Sequence, residues 1–340
     1  MITARGPVPV FDHLLRLTDR RGLFEHARLS VPRREHGYCV DDAARGLVVI
    51  CRESGSDFNL RRLERHYLDF VLGCIQPDGT CHNRMDAEGA WLDESSVGDW
   101  WGRALWGLGV AAAHAHSETA RLRALEGFRV AARQRSNHSR TMSYAALGAG
   151  EVLCVEPAER AARDVLRAAV RVIGPIAADP AWPWPEPRLR YANGTLTEAL
   201  IVAGAGLHDA AALDRGLVLL DFLLKIETRD GYLSLTPVGG RGRGEVAPRF
   251  DQQPIEVAAL ADACASAYRA TSDPRWLVGV RLAWSWFLGK NDAAIPMFDA
   301  ETGGGYDGLE AAGRNRNQGA ESTLAMLSTA QHARWLSGLR

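Results

Sequence analysis

Carboxylates recur along this chain in one setting, the start of a helical apolar pattern. They stand at Asp41 and Asp42 in VDDAARGL, Asp99 in GDWWGRAL, Glu198 in TEALIVAG, Glu256 in IEVAALAD and Glu321 in AESTLAML. Acids gathered at helix N-termini are tolerated by the positive end of the helix dipole. Brought close together, their pKa values separate, one staying protonated while another is ionised. That is the provision a general acid and a general base need. The plainer alternative is that Asp41 and Asp99 cap helices and pair with their own i+4 arginines, Arg45 and Arg103. Asp42 cannot share that cap and is free to face a cavity. Glu198, Glu256 and Glu321 lie among Ala, Leu, Ile and Val, where a buried carboxylate requires a partner or a function.

Other polar and aromatic side chains cluster beside these acids. EHGYCVDD brings His36 and Tyr38 to the first helix start, RFDQQPIE brings Asp251, Gln252 and Gln253 to the fifth, and NRNQGAES brings Gln318 to the sixth. Trp100 and Trp101 follow Asp99, and WPWPEPRLRYANG supplies Trp182, Trp184, Glu186, Tyr191 and Asn193. Flat aromatic faces stack on sugar C–H surfaces, while amides and carboxylates bind hydroxyl pairs, so the mixture suits a glycan. Some tryptophans in any such set fill gaps between helices. The proline-flanked Trp182 and Trp184 read as loop residues.

The elements that must hold these residues are helical throughout, with apolar spacing of period 3.6 and no convincing alternating strands. Six stretches are apolar or small on several faces and read as buried helices: 40–53, 99–114, 141–153, 194–206, 255–270 and 319–335. Between them lie stretches with a charged face, at 60–75, 118–135, 156–173, 210–227 and 274–290, with 11–20 as a sixth. DDAARGL and DWWGRAL share Asp-x-x-x-Arg-small-Leu, and Asp41 to Glu321 spans 280 residues in five steps, 56 per step. A helical hairpin of that length recurs about six times. The pattern predicts an all-α, (α/α)6 toroid of about twelve helices in a single domain over residues 1–340. Turn sequences such as QPDGTCHN, TRDGYLSL and FDAETGGGYDG should lie on the edge that carries the acids.

With 40 basic and 41 acidic residues the net charge of -1 offers no field for nucleic acid or an anionic membrane. No run of about 18 apolar residues could span a bilayer, and Met1 to Val10 lacks a secretory pattern, so a cytoplasmic location is expected. The six cysteines form no C-x-x-C and read as reduced thiols. His36 with Cys39, and Cys81 with His82, match no common zinc spacing, and no metal or other cofactor is expected. P-loop, dinucleotide and nucleophile-elbow motifs are absent.

The strings HGYCVDDAARGL, GDWWGRALWGLG, WPWPEPRLRYANGTLTEAL, FDQQPIEVAAL and NQGAESTLA resemble the (α/α)6-toroid carbohydrate-active proteins. That group includes glycoside hydrolases, polysaccharide lyases and N-acylglucosamine 2-epimerases. The strings are similar to those of a bacterial set found beside, or fused to, glycosyltransferases. The resemblance implies an oligosaccharide or glycoconjugate substrate and an inverting pair of carboxylates about 6.5 to 9.5 Å apart, expected among Asp42, Asp99, Glu256 and Glu321. Asp41, Arg103 and Glu198 join the expected substrate-binding set. An epimerase or lyase, with His36, Tyr38 or Tyr191 moving the proton, is the second enzyme reading. A non-catalytic glycan-binding partner of a glycosyltransferase is the third.

Overall fold

A computed structural model describes residues 7–53, 55, 57–246 and 249–339; Met1 to Gly6, the start of the segment read for a leader, lie outside them. Six inner helices form a ring: α2 (Val40–Cys51), α4 (Asp99–His114), α6 (Ser139–Val155), α8 (Asn193–Leu207), α10 (Pro254–Thr271) and α12 (Ala320–Gly338). Outside them pack α3 (Phe58–Cys74), α5 (Glu118–Ala131), α7 (Arg160–Ile173), α9 (Ala210–Glu227) and α11 (Trp276–Phe287), with the short α1 (Asp12–Arg16) beside α12. This is the (α/α)6 toroid that the periodicity predicts. The sixth outer helix is shorter than its pattern. After Arg16 the Asp19 carboxylate accepts the N–H groups of Arg21 and Gly22, and this turn draws the chain out of the helix.

The inner helices are lined with small residues because their backbones nearly touch. A Cβ added at Gly109 would stand 2.1 Å from the carbonyl oxygen of Gly148, and one at Gly148 would stand 2.0 Å from that of Leu105. Gly194 of α8 lies as tightly against Ala259 of α10. The seam between α12 and α2, where the ring closes, is polar instead. Arg45 binds Glu321, Arg52 binds Ser328, Gln331 donates to the carbonyl of Val49, and Arg334 pairs with Glu53.

The two faces of the ring differ. Inner helices pass to outer ones through short turns, 208–209 in the shortest case and 52–57 in the longest. Outer helices return to inner ones through long segments such as 75–98, 228–253 and 288–319. These carry five two-stranded antiparallel ribbons, each too short to show the alternation by which a strand is read from sequence. One example pairs Tyr38–Cys39 with Arg84–Met85. No helix among the described residues is long and apolar enough to cross a membrane.

Candidate active site

Asp57, Ser117, Glu159 and Asp209 cap outer helices α3, α5, α7 and α9 with their side chains. None of the six inner helices has such a cap. Their positive dipole ends face the long-loop side, because each inner helix starts where the chain returns from an outer one. A cleft of about 560 Å³ opens there. From α2 it receives Asp41, Asp42 and Arg45, from α4 Asp99, Trp100 and Arg103, and from α12 Glu321. Tyr191, Gln253 and Ile255 close the opposite side, and the loops add Glu25, His26, Asn83 and Asp307.

Two buried arginines organise the acids, though not in the i+4 pairs expected. Arg103 reaches across to Asp41 on the neighbouring helix at 2.5 Å, with its guanidinium 4.3 Å over the Tyr144 ring. Arg45 binds Asp42 at 2.6 Å and Glu321 at 2.7 Å, bridging α2 to α12. Asp41 and Asp99 sit inside the first helical turn, not at the cap positions, which Cys39 and Gly98 occupy. Asp99 binds the hydroxyl of Thr141 at 2.5 Å and makes no ion pair among the described residues.

These neighbours drive the acids apart. Burial pushes the Asp41 carboxyl up, but Arg103 and then Arg45 outweigh it and hold it below the usual range. Burial pushes Asp42 up to about 7 against the pull of Arg45, with Glu321 and Glu25 adding to the rise. Burial also raises Asp307, which accepts the Gly319 N–H at 2.8 Å. The cleft thus holds carboxylates of different acidity, Asp41 lowered and Asp42 and Asp307 raised, within one site. The Glu321 side chain, 41% exposed, is the most open of the arginine-bound acids in the cleft.

Several residues expected at this site lie elsewhere. Glu256 is buried and takes the backbone N–H groups of Ala192 and Asn193, where Ala192 adopts a left-handed φ of 49°. It clamps the turn that presents Tyr191 and does not line the cleft. Burial, then Glu227, push its carboxyl up to about 8. Glu198 stands in the second turn of α8, deeper along the ring, and binds Ser266 at 2.8 Å. Trp182 and Trp184 are not exposed platforms; both are buried, packed on Phe222 of α9 because the gap between hairpins needs filling. Trp101 is also core, its indole N–H shared by the carbonyls of Gly79 and Ala131.

Tyr38 is buried too, donating to Asp19 at 2.9 Å, and burial followed by that carboxylate pushes its hydroxyl up to about 12. Gln252 is consumed by Asp292, the Arg249 carbonyl and Trp286, and Gln318 by Asp299 and Thr302. Asp251 is exposed outside the lining. His36 lies outside the lining as well, its ring edge-on to cleft-lining His26 at 5.1 Å. Glu186 pairs with Arg140, which also contacts the side chain of Asn193 and lies 5.3 Å from the Tyr191 ring centre, so these three support the cleft from behind. Trp100 and Tyr191 are the aromatics at the cleft itself. Trp100 donates its indole N–H to Cys81, fixing the ring plane.

Glu25, His26, Asn83 and Asp307 carry no sequence periodicity, being loop residues. The turn strings QPDGTCHN, which ends on Asn83, and FDAETGGGYDG, which contains Asp307, are the signals that mark the edge. Glu25, Cys39 and Asp42 bring possible ligand atoms within 4.8 Å of one another. Arg45 already occupies Asp42, Arg84 occupies Glu25, and burial drives the Cys39 thiol well up, so the set does not fit a cation. His82 is turned away, stacked on Trp91 and bound to the Asp93 carbonyl.

The ring is an (α/α)6 toroid with its cleft at the N-terminal ends of the inner helices. Neither a protein-family model nor a curated protein matches the sequence. Solved structures do. A sugar epimerase from a ruminal bacterium aligns at 13% identity over 95% of each chain, with a TM-score of 0.70. Cellobiose 2-epimerase from Bacillus thermoamylovorans aligns at 12% over 96% of each chain, TM-score 0.71. A family 76 α-mannanase from Bacteroides thetaiotaomicron aligns at 10% over 97% of this chain and 94% of its own, TM-score 0.66. At such identities the likeness is one of fold.

Proposed function

We propose that this chain is a glycan-processing enzyme of glycoside hydrolase type, cleaving an oligosaccharide or glycoconjugate in the cleft. The observation that carries this reading is the convergence of Asp41, Asp42, Asp99, Asp307 and Glu321 on one cavity with Trp100 and Tyr191. Asp99 and Glu321 are the pair best placed to flank a bond. They come from α4 and α12, the two ring neighbours of α2. Helices packed about 8–10 Å apart set next-but-one neighbours across a gap, not side by side. That gap suits a sugar and a water, as in the inverting geometry of about 6.5–9.5 Å. Asp41, held ionised, would steady positive charge developing on the sugar, and the excess of acids over arginines favours a neutral glycan.

Asp99→Asn and Glu321→Gln should each abolish release of reducing sugar from a panel of α- and β-linked oligosaccharides while leaving the melting temperature within a few degrees. Proton NMR of the first product anomer would then report inversion or retention. Hydrolysis that survives both substitutions would overturn the assignment.

A second reading, sugar epimerisation, is favoured by His26 at the cleft and by the names of two structural neighbours. It requires proton exchange at a sugar carbon, so deuterium incorporation from solvent without bond cleavage would establish it. Glycan binding with neither outcome would leave the role of partner to a glycosyltransferase.

A further inference from the structure

On the opposite face of the ring, where α6, α8 and α10 end, a second cavity of about 420 Å³ opens to solvent. Its walls are apolar, formed by Leu147, Ile201 and Val202 with the half-buried ring of Trp106, and its inner end is Glu198. Ala205 and Gly206, small residues on the last turn of α8, leave the mouth open. Only an axial void of about 30 Å³ separates this cavity from the cleft, with Arg45 on one side and Glu198 on the other. That is room for about one water, so an occupant of one site does not touch the other.

The mouth carries unpaired positive charge. Arg45, Arg52, Arg103 and Arg140 each bind a carboxylate. Arg163 and Arg269, at the rim, make no ion pair among the described residues. Arg163 donates only to the Pro157 carbonyl, at 2.8 and 3.1 Å, and Arg269 only to the Ser266 hydroxyl, at 2.9 Å. Glu151, also in the lining, is bound to His114 at 3.0 Å. Burial, and then nearby Asp262, push Glu198 up to about 8. At neutral pH it is therefore a hydrogen-bonding group at the inner end, not a repelling charge. Guanidinium forks above an apolar pocket of this size match a planar anion on a hydrophobic body.

We propose that this reverse cavity is a second ligand site for a small amphipathic anion, whose aromatic or branched body lies between Trp106 and Val202 and whose carboxylate or sulfonate meets Arg163 and Arg269. The site is independent of the reaction performed in the cleft.

Fluorescence titration of the full chain with 8-anilinonaphthalene-1-sulfonate tests it. The expected result is one-to-one binding with blue-shifted emission, lost in Ala205→Trp, which fills the mouth from an exposed position. Arg269→Ala should weaken binding by about tenfold, the loss of one charge-assisted contact. The uncharged N-phenyl-1-naphthylamine should bind more weakly than the sulfonate, and Glu321→Gln should leave both unchanged. No binding, equal binding of the neutral probe, or binding undiminished in folded Ala205→Trp would each overturn the proposal. Should Ala205→Trp fail to fold, the Arg269→Ala and neutral-probe comparisons decide alone.

Discussion

Replacing Glu256 by Gln should cost stability in acid and cost progressively less as the pH rises, flattening the pH dependence. The carboxyl is 4% exposed in the first turn of α10, and burial with Glu227 raises it from an ordinary 4.5 to about 8. An unfolded chain releases this proton near the ordinary value, whereas the folded chain keeps it until about 8. Between those values the native state holds one proton more, and each pH unit removes about 1.4 kcal/mol of stability. This contribution is whole below the unfolded pKa and is lost as pH rises through the folded one. From pH 5 to pH 8 that amounts to about 4 kcal/mol. A glutamine side chain does not titrate, so the Glu256→Gln variant escapes this loss, with a pH-independent cost on top because both carboxylate oxygens accept N–H groups and the amide NH2 can accept none. Urea unfolding followed by tryptophan fluorescence at pH 5, 6.5, 8 and 9 measures it. A variant that is less stable by the same amount at every pH would refute the reasoning. It would mean that Glu256 is ionised and holds the Ala192 and Asn193 N–H groups as an anion.

Arg45→Met leaves Asp42 and Glu321 buried or half-buried without their shared cation, and should cost about 3–5 kcal/mol in denaturant unfolding; an unchanged midpoint would show that the bridge contributes nothing net. Trp184→Ala should cost about 3–5 kcal/mol as a core cavity while leaving glycan affinity unchanged by calorimetry. Trp100→Ala should do the reverse, weakening glycan binding in a folded protein. The opposite pattern in this pair would return the Trp182/Trp184 segment to the binding surface.

The helices are readable because burial on all sides leaves a mark in composition. Stretches such as 99–114 and 255–270 are small and apolar around the whole circumference, and each coincides with an inner helix to within a residue or two. The outer helices show the complementary charged face. Partner choice leaves no such mark. The spacing of Asp41 to Arg45 and Asp99 to Arg103 satisfies an i+4 pair, yet the close approach of α2 and α4 gives Arg103 to Asp41 and frees Asp99. Trp182 and Trp184 lie between prolines, the usual sign of a loop, but the loop is folded inward over Phe222. Glu256 shares its helix-start position with Asp99 and Glu321. What separates it is the left-handed turn at Ala192, a backbone conformation rare outside glycine, asparagine and aspartate that its neighbours along the chain do not announce.

The polar seam between α12 and α2 bears on how the ring comes together in time. Every other inner pair joins successive hairpins, while Arg45 and Glu321 meet across 276 residues. A free chain closing that loop would lose about 5 kcal/mol of entropy. Five hairpins stacked in sequence order form an arc that delivers α12 to α2 as a nearly rigid body, which makes closure a docking step and places it last. Steered by guanidinium and carboxylate groups over the final ångströms, that step should slow as ionic strength rises. Stopped-flow refolding in about 0.05 and 0.5 M sodium chloride, which spans weak to strong screening, would show it as a salt-dependent late phase, and a salt-independent one would place closure before the hairpins are complete.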